Sequence, residues 1–414
     1  MSNATTPITI QVFEHQTIRI GDLVHDIAFT ESLWQKLAIY HEQHQGKYYQ
    51  LLHKGIKFTQ YVGVIQIGHC TIEILPKIDR LLDGQANKWQ RVLLDMLDTC
   101  QFIKLDTQGL GQVQLRSNAI LTTYFRLFLN GVKDLIQKGI PRQYAQKEGN
   151  NKFLKGQLVI PKHLRHNLHR PEQFYTRYQS FQEHHLLTQV IHEALKVLRQ
   201  LYLSPPLQLL LAQVQIAFPT PPPYQWHSRD FEQLLQNSRY HSYNQLIELA
   251  RLILMNFSSD IRYGQHQLLA ILFDMNVLFE EYIFQQLKNT TGVPIKISRQ
   301  RSIPFWQRRS IRPDIIMEIE GEKIVLDTKW KILRSASPSM EDLKQMYIYC
   351  RYFKAEKGVL LFPSASTDID PPTATPFLDT TSEINCQIQF INVINQDGAL
   401  KQNLGQEILE AILY

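Results

Sequence analysis

The sequence predicts a multidomain α+β chain: a β-rich first part over residues 1–110, a helical and basic middle over 111–260, and a last part over 261–414 with an α/β core built on a mixed sheet. Three observations predict it. Alternation of apolar and polar residues with period 2 dominates the first part, 3.6-residue periodicity dominates the middle, and helix and strand patterns alternate in the last. At 414 residues, 44% of them hydrophobic, the chain is large enough for two or three domains with cores of their own.

In the first part the alternation marks strands at 8–13, 48–53, 61–67 and 70–75, with Gly68-His69 as a tight turn between the last two. A helix near 30–42 interrupts them, and another runs from 87 to 99. No cluster of reactive side chains shows here, which points to a structural or partner-binding role. In the middle part helices are expected at 119–138, 186–203, 207–216 and 243–256, broken by Ser204-Pro205-Pro206 and by the prolines of 219–223. His163, His166 and His169 recur every third residue but lack a nearby acid or thiolate, so a solvated or phosphate-facing basic stretch outweighs a metal site. The pairs His41 with His44 and His184 with His185 read the same way.

Composition excludes several classes. The amino terminus lacks the basic start, apolar run and cleavage site of a leader, and no apolar stretch is long enough for a bilayer, so a soluble, cytoplasmic protein without a membrane partner is expected. Cys70, Cys100, Cys350 and Cys386 are far apart with no CxxC, which argues against a disulfide framework or zinc ribbon. No GxxxxGK[ST] occurs, so the chain is not expected to bind a nucleotide itself.

The net charge of +6 is mild, but its distribution is informative. Between Lys133 and Arg177, Lys138, Arg142, Lys147, Lys152, Lys155, Lys162, Arg165 and Arg170 face only Asp134, Glu148 and Glu172. A second run, Lys296, Arg299, Arg301, Arg308, Arg309 and Arg312, contains no acid and is interleaved with Phe305 and Trp306. Charge runs are usually solvated faces; this one leads into a candidate site and suits a DNA backbone clamp.

The last part is organised around residues 311–331. Ile315, Met317 and Ile319 fall on one face of a strand, and Ile324 and Leu326 on the matching face of the next. A two-residue turn at Gly321-Glu322 would pair Asp314 with Lys329 and Ile316 with Asp327, setting Asp314, Asp327 and Lys329 on one surface. A wet hairpin face is the simpler alternative. The apolar run 324–330 weakens it, because it reads as a central strand where unpaired charge is costly. Two carboxylates beside a lysine suit phosphodiester hydrolysis with Mg²⁺, which takes oxygen ligands and activates water. A helix over 340–354 then places Gln345 and Tyr349 at i,i+4, with Leu343, Tyr347 and Cys350 as its core stripe.

Pro313-Asp314 followed by Asp327-Thr328-Lys329 resembles the PD-(D/E)xK nuclease signature, and the Gln345-x-x-x-Tyr349 helix resembles its RecB-like branch. Softer matches lie at 61–68, at 71–77, at 153–158, at Arg170-Pro171 with Phe174-Tyr175, and at 275–280. On these residues the chain is identified as a member of the McrC family, the nuclease subunit of McrBC-type modification-dependent restriction systems. The resemblance implies a RecB-like core and a Mg²⁺-dependent endonuclease acting on double-stranded DNA that carries methylcytosine. It implies that Asp314 and Asp327 hold the metal, helped by the Thr328 carbonyl and an acid of the preceding helix, Glu280 with Glu281 as competitor. Lys329 would orient the attacking water, and Gln345 and Tyr349 would support the phosphate or the site. GTP hydrolysis and methylcytosine reading would belong to an McrB-like AAA+ GTPase hexamer, docked by the first part of this chain. A standalone RecB-like nuclease of defence or repair, and a non-catalytic subunit that only activates the motor, are the rival readings.

Overall fold

A computed structural model describes residues 8–24, 26–76, 86–100, 102, 119–182, 185–260, 266–290, 295–299, 301–331, 333, 337–364, 374–378, 384–395 and 397–413. Lys77 and His184, which entered the expectations above, lie outside these. The chain forms two compact units, one of residues 1–120 with 270–414 and one of residues 121–269.

The first unit begins with β1 (Ile8–Phe13), β2 (Tyr61–Ile67) and β3 (Cys70–Leu75). β3 runs parallel to β1 and antiparallel to β2, and the Gly68-His69 turn pairs Ile67 with Cys70. Alternation puts Ile10, Val12, Ile65, Ile72 and Ile74 on one buried face. The other buried face is polar, with Gln66, Thr71 and Glu73, and α1 (Ala86–Thr99) covers it by inserting Gln90.

The second unit opens within α2 (Ala119–Lys138) and continues through β4 (Gln143–Asn151), α3 (Ile160–Asn167), β5 (Phe174–Gln182), α4 (Leu186–Gln200) and α5 (Asn244–Met255). Its helices fall close to the expected spans. It is not purely helical, however, because β4 and β5 pair antiparallel over nine residues each, from Gln143 with Gln182 to Asn151 with Phe174. Lys147-Glu148-Gly149-Asn150-Asn151 has weak strand propensity, and only the partner strand makes it one. The Ser204-Pro205-Pro206 cluster, expected to break helices, also starts one, Pro205–Ala217, since the first helical turn needs no proline N–H.

β6 (His266–Asp274) enters the first unit at residue 270 and lies beside β2. The approach is so close that a Cβ on Gly63, which has φ of +133°, would collide with the Ile271 carbonyl. Next come α6 (Met275–Lys288), β7 (Ile295–Arg299), β8 (Ile303–Trp306) and β9 (Arg309–Ile311). They are followed by β10 (Ile315–Ile319), β11 (Glu322–Thr328), α7 (Met340–Phe353), β12 (Lys357–Pro363), β13 (Thr375–Pro376), β14 (Asn385–Ile391) and α8 (Leu404–Leu413).

A six-stranded mixed sheet has the order β7-β10-β11-β12-β14-β13, antiparallel from β7 to β11, parallel from β11 to β14, and antiparallel again at β13. α7 packs on it through Met346, Tyr349, Cys350 and Phe353. The expected stripe is therefore displaced, with Leu343 and Tyr347 only partly buried. Gly358 of β12 lies under the helix, where a Cβ would strike Met346. Among the described residues no helix is long and apolar enough to cross a membrane.

Candidate active site

The β10–β11 hairpin turns at Glu320-Gly321, whose φ values of +53° and +94° are those of a type I′ turn. This corrects the expected turn at Gly321-Glu322. Ile319 pairs with Glu322 and Ile316 with Val325, so the register lies two residues from the expected one. A shift of two leaves every side chain on its face, whereas a shift of one would have inverted them all. Continued by one residue, the pairing sets Asp314 across from Asp327 rather than from Lys329.

Six of the expected residues meet here in two bonded sets, Asp314 with Thr328 and Asp327 with Lys329, Gln345 and Tyr349. The Asp314 carboxylate accepts hydrogen bonds from the Thr328 backbone N–H at 2.7 Å and the Thr328 hydroxyl at 3.0 Å. Lys329 Nζ lies 2.6 Å from Asp327 Oδ2 and donates to Gln345 Oε1 at 3.1 Å. Gln345 Nε2 donates to the Tyr349 hydroxyl at 2.7 Å, which donates in turn to the Arg312 carbonyl at 3.2 Å. The helix that supplies Gln345 and Tyr349 starts at a capping box: Ser339 Oγ accepts from the Asp342 N–H, and the Asp342 carboxylate accepts from Ser339 N–H.

Asp342 was not singled out in the sequence, although Ser339 and Asp342 have the spacing of that box. Its carboxylate also accepts from Lys331 Nζ at 2.6 Å, so a second lysine, two residues beyond Lys329, ties the end of β11 to the start of α7. Trp330, between the two lysines, donates from Nε1 to Glu14 at 2.7 Å, and its ring lies 5.0 Å from that of Phe279 on α6.

The electrostatics of the pair are unequal. Burial, and then repulsion from Asp314, push the Asp327 carboxyl up to about 7 against the opposing pull of Lys329. Asp314 is also raised by burial, an effect its hydrogen bonds from Thr328 oppose. Burial alone would lower the Lys329 ammonium, but Asp327 and Asp314 outweigh it and hold the ammonium above the ordinary lysine range. A buried acid and a half-buried one thus face one committed cation. Hard oxygen donors that repel each other suit a divalent cation such as Mg²⁺.

The other expected residues are more dispersed. Glu281 is engaged by Gln285 at 2.7 Å and by an ion pair with Arg299, and Glu280 is half-buried beside Phe279 on α6. Among the described residues no group of three or more His, Cys, Asp or Glu could hold a metal, so no third such side chain joins Asp314 and Asp327. Lys296 pairs with Glu318 at 3.5 Å, and Arg299 also lies over Phe284 at 5.1 Å. Arg301, Arg308, Arg309 and Arg312 are exposed and make no ion pair among the described residues. In the second unit, Glu148 holds Lys162 and Arg177, each at 2.5 Å, while His163 and His166 stack on Phe174 and Tyr175.

A family model described as McrBC 5-methylcytosine restriction system component matches residues 56–363, roughly three quarters of the chain. Two solved structures from Thermococcus gammatolerans are similar. One is a chain of a half-complex from a tetradecameric assembly of McrB AAA+ hexamers with bound McrC, with 21% identity and a TM-score of 0.70 over 98% of this chain and 100% of that one. The other is a chain of the McrBC complex, with 21% identity and a TM-score of 0.53 over 68% of this chain and 87% of that one. At such identity the likeness is one of fold. No curated protein sequence matches the chain.

Proposed function

We propose that this chain, which belongs to the McrBC 5-methylcytosine restriction system component family, is the DNA-cutting subunit of such a system. The observation that carries this is buried Asp327 with half-buried Asp314 across from it, Asp327 being linked through Lys329 to Gln345 and Tyr349. The pair fits a PD-(D/E)xK site of RecB-like form. Asp314 and Asp327 would hold Mg²⁺, helped by the Thr328 carbonyl and an acid of α6, Glu280; among the described residues no cluster of three such side chains gathers Glu280 with them. When bound, the cation supplies charge neutralisation at the phosphate and a water of lowered pKa.

The chain's own residues do the remaining work. Asp327 and Gln345 fix the Lys329 ammonium beside the carboxylates, where it orients the attacking water or meets developing phosphate charge. Tyr349 fixes Gln345 and, through the Arg312 carbonyl, the strand leading to Asp314. Exposed Arg301, Arg308, Arg309 and Arg312, with Lys296 and Arg299 at the edge, serve the DNA backbone.

In the T. gammatolerans half-complex McrB AAA+ hexamers carry bound McrC. By analogy the partner here is an McrB-like GTPase hexamer in the cytoplasm, which holds GTP and reads methylcytosine, while the first part of this chain docks on it. The test measures Mg²⁺-dependent cleavage of methylated duplex DNA and partner GTP turnover side by side, for the wild type and Asp327→Ala. Loss of cutting with GTPase stimulation intact is the expected result; wild-type cutting by the variant would remove the nuclease assignment. Equal cutting without the partner would place the chain among standalone RecB-like nucleases.

A further inference from the structure

β8 and β9 form a two-stranded hairpin apart from the six-stranded sheet. Its root is fixed: Ile303 and Ile311 pack against the core under α7, and Tyr349 of α7 bonds to the Arg312 carbonyl. Its shaft is fixed as well. The ladder is irregular between Pro304 and Trp306, and Phe305 at that irregularity meets Tyr352, one turn beyond Tyr349, edge to face at 5.3 Å. The helix that carries Gln345 to Lys329 therefore also aims this hairpin.

The tip differs from the shaft. Trp306 pairs with Arg309 across Gln307-Arg308, is 59% exposed, and stacks on no ring among the described residues. Beside it, Arg308 and Arg309 are exposed and have no carboxylate partner among the described residues. A single exposed apolar side chain is ordinary. An indole held out by an anchored ribbon, with two exposed guanidinium groups at the same tip, is a base-stacking element with phosphate contacts beside it. From Arg309 to Asp314 is five residues, at most roughly 17 Å of extended chain, or about five base steps of duplex.

Resting on the nuclease reading above, we infer that Trp306 is a wedge that stacks on a base within about five steps of the cut phosphate, distorting the duplex there and positioning the scissile bond. It is a positioning residue, distinct from the Asp314–Asp327 pair. Its partner is a base face, which is sequence-tolerant, so it adds distortion rather than base identity.

The full chain is bound in EDTA to duplexes carrying 2-aminopurine at successive positions, with affinity read by anisotropy across a salt series. The wild type is expected to raise fluorescence at one or two adjacent positions. Trp306→Ala should abolish that rise and weaken binding on the order of tenfold, with the salt slope unchanged. Trp306→Phe should restore most of both. The double variant Arg308→Glu, Arg309→Glu should instead flatten the salt slope. No rise with the wild type, or an undiminished rise with Trp306→Ala, overturns the wedge. Failure of the nuclease reading would show separately, as absence of Mg²⁺-dependent cutting by the wild type.

Discussion

Two buried carboxylates in the first unit sit on central strands and are equally hidden, Glu73 on β3 at 0% exposure and Asp327 on β11 at 2%. Their neighbours differ in kind. Glu73 accepts from Gln11 Nε2 at 2.9 Å and from Gln90 Nε2 at 3.0 and 2.9 Å on its two oxygens. Asp327 has a lysine at 2.6 Å and a second acid, Asp314, whose charge raises its pKa. Neutral amides hydrogen-bond a buried carboxylate without adding a second negative charge beside it. Two acids pressed together gain from a cation that neutralises both. Burial alone thus separates nothing; what distinguishes the two sites among the described residues is the second acid that stands beside Asp327.

The largest effect that could break this contrast is a paired substitution. Asp327→Asn should lower cutting on the order of a thousandfold or more while leaving the urea midpoint close to that of the wild type. Glu73→Gln should do the reverse, because either orientation of the new amide sets an NH₂ group against Gln90 Nε2. Its cost is about 1–3 kcal/mol of stability with cutting largely preserved. Comparable losses of cutting from both variants would show that the two carboxylates do not divide as described.

A smaller effect sharpens it through pH. With its pKa raised from the ordinary 3.8 to about 7, Asp327 is protonated below that value, and a cation must displace the proton. The Mg²⁺ concentration giving half-maximal cutting should therefore rise about tenfold between about pH 8 and about pH 6. The sign for stability follows from the same shift. Metal-free, the fold binds more protons than the unfolded chain between 3.8 and about 7, so it loses stability as pH rises through that window. Mg²⁺ should accordingly raise the melting temperature more at about pH 8 than at about pH 5. A Mg²⁺ requirement flat with pH would remove the repelling pair as its cause.

The smallest effect tests the scaffold rather than the acids. Asp342→Ala removes both the capping box of α7 and the partner of Lys331, costing about 1 kcal/mol. Because Gln345 and Tyr349 ride on that helix, cutting should fall severalfold, with the Mg²⁺ requirement unchanged. A shifted Mg²⁺ requirement would place Asp342 among the groups that feel the cation directly.

What could be read from the residues and what could not divide along the same physical line. Local periodicity determined which faces of the strands are buried. Ile315, Met317 and Ile319 with Ile324 and Leu326 share a face because strand side chains alternate with period 2 whatever the partner. That parity survived a misplaced turn. Glu320-Gly321 takes the I′ conformation as Asp-Gly would, a signal present in the sequence, and the register moved by two without turning any side chain over. The DxK spacing and the i,i+4 step from Gln345 to Tyr349 were likewise local, and the fold brings those residues together.

Contacts between distant segments were decided by tertiary structure alone. Nothing near Glu14 in the chain points to Trp330, yet the two are hydrogen-bonded across 316 residues, and the first segment folds into one unit with the last. The β4–β5 pairing is of the same kind, since a segment of weak propensity such as 147–151 becomes a strand only where a partner satisfies its backbone. The elevated pKa of Asp327 is a third case. Sequence spacing placed two acids and a lysine on one surface, but the sign and size of the shift come from burial and from Asp314 directly opposite, which packing alone sets.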